Sequence, residues 1–314
     1  MRSLILGYVE DYTADELRPF VDSLRRTAFA GDVTFFMRGL SEETVGYLES
    51  QGIECIRTRG FDTKQAYPLP SWLASGLGLP ESVFRPDMSV TPRVSSLVEQ
   101  LRLERTGLAH WLAKRLWHCQ SARFFYFRDY LAAHPEYDVV MITDVRDVLF
   151  QDDPFALDLQ DGITVFEEFP GTPLGDQQNN AYWIEALYGP DALRRLSDNP
   201  VLCIGVMMGA TSAMIEALDV LLPDMLTRYI GWGTDQGVLN FHARVGHLPS
   251  VHIHPFGSGA ALHMGIAPPT TISVDAAGRV LNAEGQVCPV LHQYDRHPDL
   301  RVPLLRPLAP TTVA

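Results

Sequence analysis

Val139-Val140-Met141-Ile142-Thr143-Asp144-Val145-Arg146-Asp147-Val148-Leu149-Phe150-Gln151-Asp152-Asp153-Pro154-Phe155 is the stretch on which the reading of this chain turns. It opens with Val, Val, Met and Ile, an apolar run of the kind that forms a strand buried on both faces. Thr143 ends the run, and two carboxylates follow, Asp144 and Asp147, with Arg146 between them. Carboxylates at the end of a buried parallel strand lie where open α/β sheets bind ligands. Two carboxylates this close repel each other. A divalent cation with oxygen ligands relieves the repulsion, and Mg²⁺ held in that way usually also touches substrate phosphates. The same residues have a plainer use, Asp144 capping the next turn and Asp147 pairing with an arginine.

Working outward, residues 3–9, 33–37 and 53–56 read as strands. Between the first two, Thr13-Ala14-Asp15-Glu16 is a capping box, and Leu17, Phe20, Val21, Leu24 and Ala28 follow at helical spacing. Ser41-Glu42-Glu43 opens a second helix with acids placed against its dipole. This β-α-β-α-β opening predicts a parallel, right-handed doubly wound sheet. Pro68, Pro70, Pro80, Pro86 and Pro92 then break any long helix over 60–92, which reads as an irregular insertion or flap. A helical pattern resumes over 94–134 and carries Arg123 and Arg128, each placed to reach a phosphate or to pair with Asp129 or Glu136. Further strands are expected at 162–166, ending in Glu167-Glu168, at 201–209 with Gly205 and Gly209, at 251–254, at 271–281 and at 287–291. Asn282-Ala283-Glu284-Gly285 is a turn, and Thr211 or Ser212 is expected to cap a helix running to 229. The expectation is one α/β domain over 1–302: a doubly wound, mostly parallel central sheet flanked by helices, with a small antiparallel C-terminal β element. A Pro-rich tail covers 303–314.

The chain has 314 residues, 46% hydrophobic and 20% charged, as in ordinary globular proteins. Its net charge of -13 argues against nucleic acid as a partner. An anionic substrate must therefore be held locally. Cys55, Cys119, Cys203 and Cys288 show no C-x-x-C spacing, and scattered thiols of this kind suit a cytoplasmic location. The apolar run at 4–6 is too short for a signal peptide, and no run of about 18 apolar residues predicts a transmembrane helix.

Three more groups carry chemistry. Gly231-Trp232-Gly233-Thr234-Asp235-Gln236 is a glycine-rich turn into a short helix, with Thr234 or Asp235 as an N-cap on the simplest reading. His252 and His254 share a strand face at metal-binding spacing, without a third ligand in sight. His292-Gln293-Tyr294-Asp295-Arg296 follows the last strand.

Taken in order, the Asp144–Asp147 motif with its trailing Phe150-Gln151-Asp152-Asp153-Pro154-Phe155, the Thr234–Asn240 segment and the His292–Arg296 segment resemble GT-A fold glycosyltransferases, which use nucleotide sugars. The resemblance spans nearly the whole chain. It implies that Asp144, Asp147 and His292 hold Mn²⁺ or Mg²⁺ on the donor diphosphate. It implies that Asp235 and Gln236 lie beneath the anomeric carbon, as in retaining members. It implies donor contacts from Gly205 beside the sugar, from Gly7 and Tyr8 in the base pocket, and from Arg123 on the helix before the motif. The usual motif spacing is i, i+2; here Arg146 occupies that place, where it can supply part of the cation's charge. The donor expected is a UDP sugar ahead of a GDP sugar. The acceptor is left open among glycan, lipid-linked sugar, small molecule and protein.

Two rivals remain. A sugar-phosphate nucleotidyltransferase shares the sheet and the carboxylate-bound metal, but usually opens with a basic Gly-rich loop where this chain has Gly7-Tyr8-Val9-Glu10-Asp11. A non-catalytic nucleotide-sugar-binding domain leaves the acidic motif and His292 without a purpose.

Overall fold

The opening units form as their local signals dictate. In the computed structural model, which describes residues 1–60, 91–157 and 161–300 and a few backbone positions between 61 and 90, β1 (Ser3–Glu10), β2 (Asp32–Arg38) and β3 (Glu54–Arg57) pair in parallel. α1 (Ala14–Arg25) and α2 (Glu42–Ser50) connect them. The capping box is made: Thr13 N–H donates to Glu16 Oε2 at 2.9 Å, and Glu16 N–H to Thr13 Oγ1 at 3.4 Å. A cap of this kind contributes about 1 kcal/mol. Leu17, Phe20, Val21 and Leu24 are buried against Ile5, Phe35 and Met141 on one face of the sheet. Ala28 lies beyond the helix end and is exposed.

β4 (Tyr67–Pro68) and β5 (Val83–Phe84) pair antiparallel. The rest of the 60–92 insertion or flap, and the Pro-rich tail, lie outside the described residues. The single helical run expected over 94–134 is three helices: α3 (Thr91–Gln100), α4 (Gly107–Leu116) and α5 (Cys119–Ala133). Thr106 Oγ1 caps α4 by accepting from Ala109 N–H at 3.2 Å, and the His118 ring caps α5 by accepting from Gln120 N–H at 3.4 Å. The apolar period continues through both breaks because the helices bury their inner sides in one core, opposite α1 and α2.

β6 (Val139–Thr143) joins β1 in parallel on the side away from β2. β7 (Val148–Phe150) leaves for a second sheet. β8 (Ile163–Glu167), β9 (Leu202–Ala210) and β10 (Val251–His254) complete a mixed seven-stranded sheet of order β10-β8-β9-β6-β1-β2-β3. Only β9 is reversed, antiparallel to both β6 and β8. The strand order turns back between β1 and β6, so the crevice at their carboxyl ends is a topological switch point.

The reversal of β9 shapes that crevice. An antiparallel neighbour is reached from the same edge of the sheet. Residues 168–201, including α6 (Gln178–Tyr188) and α7 (Pro190–Leu196), therefore stay over the carboxyl edge instead of crossing a face. α8 (Thr211–Thr227) and α9 (Thr234–Arg244) add to the core on the α5 side. α8 starts after Ala210 with no side-chain cap bond, so neither Thr211 nor Ser212 takes that role.

β11 (Ala261–His263), β12 (Ser273–Val274), β13 (Val280–Leu281) and β14 (Val290–His292) follow. β14 runs parallel to β11 and antiparallel to β7, so the small C-terminal sheet is mixed where an antiparallel one was expected. Residues 271–281 are not one strand. Asp275 Oδ1 accepts from Ala277 N–H and Arg279 N–H, both at 2.9 Å, and turns the chain into a β12–β13 hairpin. The turn at 282–285 is present, with Asn282 N–H bonded to the Gln286 carbonyl at 2.8 Å. Among the described residues no helix is long and apolar enough to cross a membrane. The four cysteines are free.

Candidate functional site

Asp144 is the first residue past β6, and its N–H donates to the Gly205 carbonyl at 2.8 Å, which ties the motif to β9. Gln293 N–H donates to the Asp147 carbonyl at 2.7 Å, which fastens the end of β14 to the same turn. β14 also pairs with β7, placing His292 opposite Val148, next to Asp147. His292 Nε2 thereby lies 3.3 Å from Asp144 Oδ2 and 3.7 Å from Asp147 Oδ1. The three residues expected to hold a metal are brought together.

Arg123 reaches the same point from α5. It donates to Asp144 Oδ1 and lies 3.6 Å from Asp235 Oδ2. It therefore pairs with neither Asp129, which Lys114 takes, nor Glu136, which Arg2 and His134 approach. Arg128 pairs with Asp219. Burial works against the charge on Arg123, but Asp144 and Asp235 outweigh it and raise its pKa. Burial likewise opposes ionisation of Asp144; the Arg123 guanidinium and the nearby His292 imidazole prevail and hold its carboxyl well below the usual range. Burial pushes Asp147 up, against His292 and with help from the Asp144 charge. Burial also pushes Asp235 up, against Arg123. Burial disfavours the His292 imidazolium, yet Cys203, Asp147 and Asp144 raise its pKa well above that of a free imidazole.

The residues fit a divalent cation. Asp144, Asp147 and His292 each offer a donor atom within 4.8 Å of the others. Buried His292 Nε2 makes no hydrogen bond. Two carboxylates and one imidazole are a donor set that Mn²⁺ accepts and Mg²⁺ tolerates. Gly205 makes room for it: a Cβ there would stand 2.7 Å from His292 Nε2 and 2.8 Å from Asp144 Oδ2. It sits in an irregularity of β9, where residues 204–206 have no partner on β8. Bulges of this kind re-aim groups beside functional sites.

Two cavities, of about 420 Å³ and about 410 Å³, meet at Arg123, Asp144, Trp232 and Gln293. Both volumes are in the range of small-molecule sites. The first holds Gly205, Asp235 and Gln236. The second holds Tyr8, Arg146 and Asp147. Arg146 lies over the motif, bonded to Asp295 Oδ2 at 3.1 Å and 3.8 Å from Asp147 Oδ2. Tyr8 shares a 2.9 Å hydrogen bond with Thr58. Gly7 lines neither cavity; a Cβ there would come within 2.9 Å of the Phe35 ring and closer still to Val145. Its lack of a side chain serves packing beneath the motif.

α9 begins at Thr234 after Gly233, which has φ +85 and makes no side-chain cap bond. Thr234 Oγ1 instead donates to the Gly231 carbonyl at 2.7 Å. Asp235 lies inside the first turn, facing Arg123, so neither residue is the N-cap. Gln236 Nε2 donates to Asn180 Oδ1 at 2.9 Å, Asn180 Nδ2 to Gln177 Oε1 at 2.8 Å, and Gln177 Nε2 to Glu168 Oε2 at 3.4 Å. Burial pushes the Glu168 carboxyl up. Glu167 points elsewhere, paired with Arg244 at 2.7 Å. His252 bonds to the Asp161 carbonyl and His254 packs near Phe166; among the described residues they join no cluster of metal ligands. Sequence reasoning missed Asn180, Gln177, Cys203 and His263. An apolar run carrying one His or Cys has the pattern of ordinary core, and only the pairing of β11 with β14 places His263 beside His292.

Neither a scan against protein-family models nor a search of curated proteins finds a match to this chain. The geometry of the site therefore carries the functional reading.

Proposed function

We propose that this chain is a GT-A-type glycosyltransferase. It moves a sugar from a nucleoside diphosphate sugar, UDP ahead of GDP, to an acceptor hydroxyl, with retention and with Mn²⁺ or Mg²⁺ bound. One observation carries the reading. A cation-ready cluster of Asp144, Asp147 and His292 stands at the switch point of the sheet, between two cavities, with Asp235 and Gln236 across Arg123 from it. In this reading the cavity with Tyr8 and Arg146 takes the nucleotide and the cavity with Gln236 takes the sugar.

Breaking a glycosyl phosphate bond builds negative charge on the departing diphosphate. Arg146 is partly exposed over the motif, and its guanidinium stabilises that charge. A divalent ion held by Asp144, Asp147 and His292 would add Lewis-acid stabilisation of the same oxygens. Arg123 is committed to Asp144 and Asp235, so it positions both carboxylates instead of touching substrate. The Gln236 amide nitrogen is committed to Asn180, which leaves its carbonyl oxygen to face the oxocarbenium-like carbon. The amide relay to Glu168 fixes that orientation.

Isothermal titration with UDP and GDP, with and without Mn²⁺, followed by assays for UDP release from UDP sugars, tests the proposal. The expected result is Mn²⁺-dependent UDP binding and slow hydrolysis of a UDP sugar. Binding without turnover points to a non-catalytic domain. Pyrophosphate release from a nucleoside triphosphate and a sugar phosphate points to a nucleotidyltransferase. Absence of nucleotide binding overturns the reading.

A further inference from the structure

His292 has two ring nitrogens, and the site described above uses one. Nε2 faces the carboxylates. Nδ1 lies 2.9 Å from His263 Nδ1 and 3.6 Å from Cys203 Sγ. Cys203, His263 and His292 each offer a donor atom within 4.8 Å of the others, and all three are buried. Cys203 and His292 line the cavity of about 420 Å³, so the group can be reached from it. One sulfur and two imidazole nitrogens are a softer donor set than the two carboxylates and imidazole on the other side of the ring.

We propose that Cys203, His263 and Nδ1 of His292 form a second cation site, selective for a thiophilic divalent ion of the Zn²⁺ class, and that filling it withdraws His292 from the carboxylate site. The spacings suit a tetrahedral ion. With Zn–N near 2.0 Å and Zn–S near 2.3 Å, ligand separations are about 3.3 Å for N···N and about 3.5 Å for N···S. The observed 2.9 and 3.6 Å need shifts of a few tenths of an ångström or less. Glu168 lines the same cavity as Cys203 and His292.

Binding exchanges one cation for two protons, that of the Cys203 thiol and that shared by the two Nδ1 atoms. A neutral imidazole that gives its Nδ1 lone pair keeps its one proton on Nε2. That N–H then points at Asp144 and Asp147 and has no lone pair for a hard cation. The two sites are therefore antagonistic, and each lowers the other's affinity by the same factor. The antagonism rests on reading Asp144, Asp147 and His292 as cation ligands; the thiophilic site does not.

Titration of the whole protein with Cd²⁺, followed by the thiolate-to-metal charge-transfer band in the ultraviolet, tests the site. The band should appear at one equivalent in the wild type and in Asp147→Ala, vanish in Cys203→Ser, and need at least tenfold more Cd²⁺ in His263→Ala. Zn²⁺ should displace it and, in the unmodified wild type, protect Cys203 from alkylation as mapped by mass spectrometry. No band in the wild type, a band that survives Cys203→Ser, or alkylation of Cys203 undiminished by Zn²⁺ overturns the site. Mn²⁺ affinity, read from the paramagnetic resonance of free Mn²⁺, should fall at least tenfold with one equivalent of Zn²⁺. An unchanged value overturns the antagonism. A Cd²⁺ band in a protein that binds no Mn²⁺ supports the thiophilic site and removes the carboxylate metal site instead.

Discussion

Gly205→Ala is the smallest change that tests whether the cluster around Asp144 works as a cation site. The added Cβ would stand 2.7 Å from His292 Nε2 and 2.8 Å from Asp144 Oδ2, with the ring's Cε1 nearer still. Ordinary contact starts at 3.4 Å, so both groups must retreat by on the order of 1 Å. His292 has no room, backed by His263 and Cys203, and Asp144 can swing into the cavity only by loosening its bond to Arg123. Overpacking at a buried site costs about 1–3 kcal/mol, and each kcal/mol lowers the melting temperature of a chain this size by roughly 2–4 °C. The loss in cation affinity should be larger in proportion. Metal–ligand distances tolerate about 0.2 Å, and even indirect disturbance of a ligand costs about 10–100-fold. The assay is Mn²⁺ titration of both proteins beside thermal denaturation. Gly209→Ala is the control. It lies on the same strand, and its Cβ would strike the backbone of Gly162 and Ile163, away from the cluster. It should lose stability and keep its Mn²⁺ affinity. A folded Gly205→Ala protein that binds Mn²⁺ as the wild type does would refute the reasoning.

Asp147→Ala should lower Mn²⁺-dependent nucleotide binding and turnover at least about 100-fold while the melting temperature holds or rises, since burial already disfavours that carboxylate; equal nucleotide binding with and without the mutation counts against the assignment. His292→Ala should weaken Mn²⁺ binding about tenfold or more, whereas a large fall in melting temperature at unchanged Mn²⁺ affinity would make it a packing residue. The first-formed product should keep the donor's anomeric configuration, read from the proton coupling at the anomeric carbon. An inverted product moves the search for a general base to Glu168 or Asp235, since Arg244 occupies Glu167. Asp224 accepts from Tyr188 at 2.7 Å and pairs with His242 at 2.9 Å, and these bonds outweigh burial and lower its pKa. A depressed folded value means stability that is full above the ordinary aspartate pKa of about 3.9 and is lost as pH falls through the folded value. Asp224→Asn should therefore be less stable than the wild type at neutral pH, with the two melting temperatures converging as pH falls below the ordinary aspartate range; a gap independent of pH contradicts this.

The parts of the fold legible in the sequence are those whose signals are local. The Thr13–Glu16 box, the acids after Ser41 and the alternating runs specify β1 to β3 with α1 and α2, because each signal acts within a turn of helix or a single strand. The direction of β9 was not legible. A run buried on both faces looks the same in either direction, and only its neighbours decide. The breaks before α4 and α5 were hidden because the apolar period continues across them. In the site, Asp144 and Asp147 stood out through their place after a buried strand, whereas His292 joined them through resemblance alone. The sequence offers Arg123 a phosphate or donor contact, or a pairing with Asp129 or Glu136, the acids that follow it in the chain. Arg123 points inward at the sheet edge instead, where Asp144 and Asp235 wait from distant parts of the chain.

Charge separates a closed structural ion pair from a place for an exchangeable cation. Asp144 and Asp235 converge on a buried permanent cation, Arg123, and Asp144 and Asp147 on a titratable one, His292, while the half-exposed Arg146 reaches Asp147 at 3.8 Å and is shared with Asp295. Arginine cannot give up its proton in a protein, so Arg123 always offsets about one of the three acids. The remaining balance is held by protons: burial pushes Asp147 and Asp235 toward their neutral forms, and the acids push His292 toward imidazolium. A purely structural cluster would be better served by a buried arginine in place of His292, since arginine is less strongly hydrated than a lysine or a metal ion and pairs with carboxylates in fixed geometry. An imidazole at that position has one property an arginine lacks. It can release its proton and turn the same nitrogen into a ligand. The charge that His292 and Asp147 carry as protons is charge that a divalent ion can replace without moving the backbone. That exchange is what a leaving diphosphate requires, since its oxygens need a cation at the moment they are released. The combination of a locked Arg123 and a releasable His292 thus supports the transferase reading over a buried salt-bridge network of no further use.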